Sequence, residues 1–127
     1  MRILLADDSV LILERLREML SIYSRLEIVG SFKNGTETLE ALRNLKPDLA
    51  IVDLKMPGLS GLEILTEIRK EDKNLKFIIL TFHSSDCYSR MAIQNGADYF
   101  FSKVDDFEKV AIVVAEMLEN EQNIKST

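Results

Sequence analysis

The sequence predicts an α/β protein, a doubly wound (βα)5 three-layer sandwich built on a parallel five-stranded sheet. Two observations support this prediction. Apolar runs of strand length alternate with amphipathic stretches of helix length along the chain. Most of the apolar runs are also almost continuous, as expected for parallel strands that helices cover on both faces.

Five segments have the length and composition of strands, and helical patterns separate them. The predicted strands are residues 2–6, 27–32, 48–52, 76–81 and 98–102. Right-handed crossovers between parallel strands then favour the flavodoxin-like strand order 2-1-3-4-5. In that order the first and third strands lie side by side at the switch point, where doubly wound sheets bind ligands.

Helix positions follow from apolar spacing and from capping residues. Leucines and methionines recur at helical spacing in residues 10–23 and 36–45. A helix over residues 87–95 is predicted to end at Gly96, and Pro47 to stop the helix before the third strand. Three cap residues are each followed three positions later by a glutamate, which predicts helix starts at Asn34 with Glu37, Ser60 with Glu63 and Asp105 with Glu108.

Length and composition fit one globular domain. The 127 residues are 46% hydrophobic and 29% charged, which suffices for one core and excludes a second domain. We expect the domain to cover residues 1–122, followed by a polar tail at 123–127. The net charge of -5 argues against nucleic-acid binding. No leader and no apolar run of roughly 20 residues is present, so we expect a cytoplasmic protein without membrane contact.

Chemically active side chains lie at or directly after the ends of four of the predicted strands. Asp7 and Asp8 come after the first strand and Asp53 after the third, while Thr81 ends the fourth and Lys103 follows the fifth. Because parallel strands end at one edge of a sheet, we expect these groups to meet in one crevice.

Three carboxylates in one crevice require a counter-charge. Without a cation, their repulsion raises at least one carboxyl pKa. Mg²⁺ (or Mn²⁺) suits such a site, because these ions prefer oxygen ligands and Mg²⁺ is typically bound by one or two carboxylates plus phosphate oxygens. A carboxylate beside the metal can form an aspartyl phosphate while the metal and a lysine neutralise the transferring group. The sequence therefore predicts magnesium-dependent phosphoryl chemistry.

Four short segments carry these groups: residues 7–9 (DDS), 53–61 (DLKMPGLSG), 79–81 (ILT) and 96–103 (GADYFFSK). Together they resemble the receiver domain of bacterial two-component response regulators, over essentially the whole chain. The resemblance implies a signalling switch that accepts a phosphoryl group from a histidine kinase or phosphotransfer protein. It implies no enzymatic activity beyond the chain's own phosphorylation and dephosphorylation.

The resemblance also implies residue roles. Asp53 is the implied phosphoacceptor, with Asp8 a direct and Asp7 a water-mediated metal ligand, and Lys55 contributes its backbone carbonyl to the metal. Thr81 corresponds to the hydroxyl that moves to bond the phosphoryl group, and Lys103 to the ammonium that pairs with it. Phe100 takes the place of a rotating aromatic switch.

Three positions depart from the usual receiver pattern. Phe82 replaces a small residue after Thr81, His83 follows it, and Val104 replaces a proline after Lys103. We expect the Phe82 ring to restrict access to the phosphorylation site. For His83, the sequence leaves open a base for attacking water and a solvated loop histidine.

Other functions remain open from the sequence. A flavodoxin-like redox protein shares the fold, but Asp7 and Asp8 would repel the phosphate of FMN. An aspartate-nucleophile phosphohydrolase uses the same acyl phosphate, yet its nucleophile follows the first strand in an Asp-x-Asp pattern. A binding adaptor that works without phosphorylation is a third alternative.

The last helix suggests a partner surface. Its apolar stripe contains Val110, Val114 and Leu118, and Val113 and Met117 extend it along one edge. We expect Val113 and Met117 to form a phosphorylation-sensitive contact for a second copy of the chain or for a downstream target.

Overall fold

Five parallel strands and five helices alternate along the chain. The computed structural model describes the backbone of residues 1–126 and the side chains of residues 1–121. The strands are β1 (Arg2–Ala6), β2 (Glu27–Phe32), β3 (Leu49–Val52), β4 (Lys76–Thr81) and β5 (Tyr99–Ser102). The helices are α1 (Val10–Leu20), α2 (Gly35–Leu45), α3 (Gly61–Arg69), α4 (Asp86–Gln94) and α5 (Lys109–Ser126).

The strand order β2-β1-β3-β4-β5 confirms the predicted topology. All four strand pairs are parallel, and β1 pairs with both β2 and β3. Three strands have the predicted bounds, and β3 and β5 each begin one residue later than predicted. The carboxyl ends of all the strands therefore lie along one edge of the sheet.

Alternation along the strands divides the core into two layers. In β1, Leu4 and Ala6 pack beneath α2, α3 and α4, whereas Ile3 and Leu5 pack beneath α1 and α5. The same alternation continues through β3 and β4, where every apolar side chain is at most 1% exposed. This burial on both faces explains why the strand sequences are continuously apolar.

Helix caps confirm most of the predicted helix starts. Ser60 and Glu63 form a complete capping box, and the Asn34 side chain accepts a hydrogen bond from the Glu37 amide. The predicted start at Asp105 is wrong, because α5 begins at Lys109. The carboxylate of Asp106 instead accepts a hydrogen bond from the Ser102 amide, which holds the preceding residues in turns.

Two backbone positions end helices by leaving the right-handed region. Gly96 has φ 105° after α4, as the sequence predicted. Lys46 caps α2 with φ 46°, an uncommon value for a residue with a Cβ. In addition, α1 ends at Leu20, three residues before the predicted limit.

One of the two surface predictions for the last helix is wrong, whereas that for Met117 stays a prediction. The predicted surface position of Val113 is wrong: this side chain is 7% exposed and packs with Val110, Val114 and Leu118 against β1, β3 and β4. Met117 is half-buried against the same layer and lines a cavity of about 550 Å³ at the amino-terminal edge of the sheet.

The proposed domain boundary at residue 122 stays a prediction. The backbone of residues 123–126 continues α5, and residue 127 lies outside the described part of the chain. Within residues 1–126, no helix combines the length and hydropathy that crossing a bilayer requires.

Candidate functional site

The ends of four strands place the predicted functional side chains in one crevice. Asp7 follows β1, Asp53 follows β3 and Lys103 follows β5, while Thr81 is the last residue of β4. Backbone hydrogen bonds extend the sheet at these points, from the Asp53 amide to the Ala6 carbonyl at 2.9 Å and from the Lys103 amide to the Thr81 carbonyl at 2.9 Å. The crevice is therefore fixed by the sheet itself.

Lys103 lies between two carboxylates. Its Nζ is 2.6 Å from Asp7 Oδ2 and 3.0 Å from Asp53 Oδ2. The side chains of Asp7 and Lys103 are each 2% exposed and that of Asp53 is 7% exposed. Such short, buried, charge-assisted contacts hold all three groups in one geometry.

Asp8 completes a group of three carboxylates at the mouth of the crevice. Ligand oxygens of Asp7, Asp8 and Asp53 lie within 4.8 Å of one another, and Asp8 is exposed while the other two are buried. This arrangement could hold a metal ion, because the donors are all hard oxygen atoms and one side is open to water.

The carboxyl group of Asp7 has a raised pKa in the crevice. Burial raises the pKa of Asp7 above its ordinary value, and the neighbouring charge of Asp53 acts in the same direction. Hydrogen bonds from Lys103 and from the Ser9 amide oppose the rise but do not cancel it. Burial therefore outweighs the stabilisation that Lys103 and the Ser9 amide give to the ionised Asp7 carboxylate.

The loop after β3 approaches the crevice closely. The Lys55 amide lies 3.4 Å from Asp53 Oδ1, so the backbone of this loop borders the acceptor carboxylate, while the Lys55 side chain is exposed. A Cβ atom at Gly61 would overlap the carbonyl oxygen of Asp53. Gly58 has φ 82°, where a side chain would add strain. These glycines let the loop fold back beside the site.

Thr81 and Phe100 lie on the neighbouring strands β4 and β5. Thr81 is fully buried, and its Oγ1 accepts a hydrogen bond from the His83 amide at 3.0 Å. Phe100 is half-buried against the layer that contains Ala92 of α4. Thr81 ends β4, whereas Phe100 is the second residue of β5 and pairs with Ile79. The movement of both side chains on phosphorylation stays a prediction.

The loop after β4 brings a ring over the lysine. Phe82 is 59% exposed, and the Lys103 Nζ lies 4.9 Å from the centroid of its ring. His83 is exposed, so the structure leaves its role in hydrolysis a prediction. Val104 is 74% exposed beside the same crevice mouth.

Sequence reasoning missed several groups that shape the site. Ser9 caps α1 through its side chain, and the hydroxyl of Ser102 accepts hydrogen bonds from the Val104 and Asp105 amides. The sequence did contain a signal for both serines, because serine is a common cap and turn residue. The Lys55 ammonium lies 5.5 Å from the ring centroid of Tyr88 on α4, a contact that sequence spacing could not indicate.

Comparisons with known proteins show what the chain is similar to. The family model described as the response regulator receiver domain matches residues 3–115. The response regulator GacA of Pseudomonas viridiflava is 32% identical over 102 residues, which cover 80% of this chain and 48% of that protein. A protein-glutamate methylesterase/protein-glutamine glutaminase of Methanospirillum hungatei is 34% identical over 125 residues, covering 97% of this chain and 36% of that protein.

A solved structure shares the fold. The DNA-binding response regulator of the LuxR family from Staphylococcus aureus superposes with a TM-score of 0.83 at 27% identity, covering 91% of this chain and 96% of that chain. This chain spans only part of the two curated relatives, with 48% of the length of GacA and 36% of the length of the methylesterase.

Proposed function

Since this chain belongs to the response regulator receiver domain family, whose pattern covers residues 3–115, we propose that Asp53 is the phosphoacceptor of a two-component signalling switch. One observation carries the proposal: the Asp53 carboxylate lies 3.0 Å from the buried Lys103 ammonium, within a group of three carboxylates. A nucleophile, a cation for the transferring phosphoryl group and a set of metal donors are thus in one place.

The transfer uses the carboxylate of Asp53 as nucleophile. The proposed donor is a phosphohistidine side chain of another protein. One Asp53 oxygen attacks its phosphorus, a new P–O bond forms, and the P–N bond to the imidazole of the donor breaks. The imidazole leaves with the bonding electron pair and keeps a proton on its other nitrogen or gains one from water. Lys103 already contacts Asp53, so its ammonium would pair with the phosphoryl oxygens where charge develops.

The acidic group fits Mg²⁺ or Mn²⁺. Asp7, Asp8 and Asp53 supply oxygen donors within 4.8 Å of one another, and the Lys55 carbonyl is the proposed fourth protein donor. When bound, the ion would supply positive charge against the phosphoryl oxygens.

The proposed switch converts charge at Asp53 into a changed surface. Phosphorylation adds negative charge and acceptor oxygens, which the Thr81 hydroxyl can bond once it leaves the His83 amide. Movement of Thr81 would free space beside β5 for the half-buried Phe100 ring. The surface formed by α4 and β5 would then differ between the two states.

Two alternatives are less well supported. A phosphohydrolase would carry its nucleophile after β1, whereas here Asp7 is committed to Lys103 and to the Ser9 amide. An adaptor that works unphosphorylated would not need the buried pair of Asp53 and Lys103. The methylesterase relative is matched over only 36% of its length, so the match does not assign its catalytic activity to this chain.

We further propose a histidine kinase or phosphotransfer protein as the donor, in the cytoplasm. A second copy of the chain or a downstream target would recognise the phosphorylated form. Because Val113 is buried, any such surface involves other residues. The net charge of -5 argues against direct contact of this chain with nucleic acid.

Labelling with a small phosphodonor tests the proposed function. We expect acetyl phosphate with Mg²⁺ to load about one phosphoryl group per chain, in a form that is stable in acid and cleaved by hydroxylamine, and EDTA to prevent the loading. Intact-mass measurement and free-phosphate release give the two readouts. An unlabelled chain would identify an adaptor, and rapid phosphate release over many turnovers without loading would identify a phosphohydrolase.

A further inference from the structure

The Phe82 ring covers a charge that the site needs. The Lys103 ammonium contacts Asp7 and Asp53 on one side, and its Nζ lies 4.9 Å from the Phe82 ring centroid on another. The lysine side chain is 2% exposed although it belongs to a loop at the crevice mouth, whereas Phe82 is 59% exposed. An exposed ring thus contacts an ammonium group that is itself buried.

This contact is of the cation–π type. An ammonium within about 6 Å of an aromatic centroid is attracted by the electrons of the ring face. The ring also replaces water beside the ammonium, which strengthens its attraction to the carboxylates. A leucine at position 82 would fill much of the same space without an aromatic face, so shape and charge effects can be separated by substitution.

We propose that Phe82 is a positioning residue for Lys103, which it holds towards Asp53 through the face of its ring. The proposal rests on the proposed function of Asp53, since Lys103 is positioned for the phosphoryl group that Asp53 receives. It differs from the access role that the size of the side chain suggested, because an obstruction requires bulk alone. Phe82 acts through Lys103 and forms no bond in the transfer.

Three substitutions at position 82 separate the effects. Phe82→Tyr keeps the aromatic face, Phe82→Leu keeps bulk alone, and Phe82→Ala removes both. The exposure of Phe82 makes all three compatible with folding. We expect Phe82→Leu to lower the rate of Mg²⁺-dependent labelling by acetyl phosphate about two- to fivefold and Phe82→Tyr to retain it. Phe82→Ala measures the access of the phosphodonor, because it removes the bulk of the side chain together with its aromatic face.

A rate in Phe82→Leu equal to that of the unmodified chain would overturn the proposal. So would a Phe82→Tyr variant as slow as Phe82→Leu, since the aromatic face would then contribute nothing.

Proton NMR of Lys103 provides a second measurement that needs no phosphorylation. The ring should shift the Lys103 Hε resonances upfield, and Lys103→Arg identifies them. We expect the shift to persist in Phe82→Tyr and to vanish in Phe82→Leu. Identical resonances in the unmodified chain and Phe82→Leu would exclude the contact. If the chain accepts no phosphate at all, the proposed function fails while this signal still reports the position of the ring.

Discussion

The buried carboxylate of Asp7 links folding stability to pH. Its pKa is raised mainly by burial, so ionisation costs the folded state free energy relative to the unfolded chain. The stability that Asp7 contributes is fully present below the ordinary pKa of an aspartate, and it is lost as pH rises through the raised value. The metal-free protein should therefore be weakened by this group at neutral pH.

Asp7→Asn should raise the thermal stability of the metal-free protein, because the amide keeps the shape of the side chain without its charge. We expect the gain over the unmodified chain to grow from acidic to neutral pH. Thermal unfolding in EDTA at a series of pH values measures it, with Asp105→Asn on the exposed loop as the matched loss of one carboxylate. A lower stability of Asp7→Asn at neutral pH would mean that its contact with Lys103 outweighs burial.

The meeting of the main crevice side chains was predictable from the sequence, but the contact between Phe82 and Lys103 was not. Asp7, Asp53 and Lys103 follow strands, and a parallel sheet brings strand ends together whatever the loops do. The contact between Phe82 and Lys103 depends on the path of the loop after β4 and on two rotamers. Neither the path of this loop nor the two rotamers can be recognised from a pattern in the sequence.

Among the helices, starts that depend only on neighbouring residues were also predicted better than starts that depend on other contacts. The capping box at Ser60 is local, and it was predicted correctly because both partners lie within one turn. The start of α5 was predicted three residues early, with Asp105 as its cap. The Ser102 amide instead donates a hydrogen bond to the Asp106 carboxylate, and the chain forms turns before the helix begins at Lys109. Competing side-chain bonds of this kind decide helix starts that spacing alone leaves ambiguous.

The core-facing stripe of α5 was predicted correctly, but the surface position of Val113 at its edge was not. The spacing of apolar residues predicted the core-facing stripe of α5 but not its width, since packing against the sheet decides which edge of the stripe is buried. Val113 is 7% exposed and lies in the core, whereas Ile112 next to it is 58% exposed. The two positions offer a matched pair for testing the orientation of the helix.

We expect Val113→Glu to destabilise the fold by about 3 kcal/mol or more, because it buries an unpaired charge. Ile112→Glu should change the free energy of unfolding by no more than about 0.5 kcal/mol, as for an ordinary surface substitution. Urea unfolding followed by circular dichroism compares them. Similar losses in both variants would contradict the observed orientation of α5.

The topology of the whole chain creates the site. The order β2-β1-β3-β4-β5 places β1 beside β3, so Asp7 and Asp53 meet although 46 positions separate them in the sequence. The crossover rule made this order predictable, because it leaves few arrangements for five βα units. The partner surface was not predictable in the same way, since it depends on small differences in side-chain exposure.

Intact-mass measurement after reaction with acetyl phosphate and Mg²⁺ decides whether Asp53 receives the phosphoryl group. We expect the unmodified chain and Asp105→Asn to gain the mass of one phosphoryl group. Asp53→Asn should gain none, because an amide is not a comparable nucleophile. Undiminished loading of a folded Asp53→Asn variant would contradict the assignment and move the acceptor to another residue.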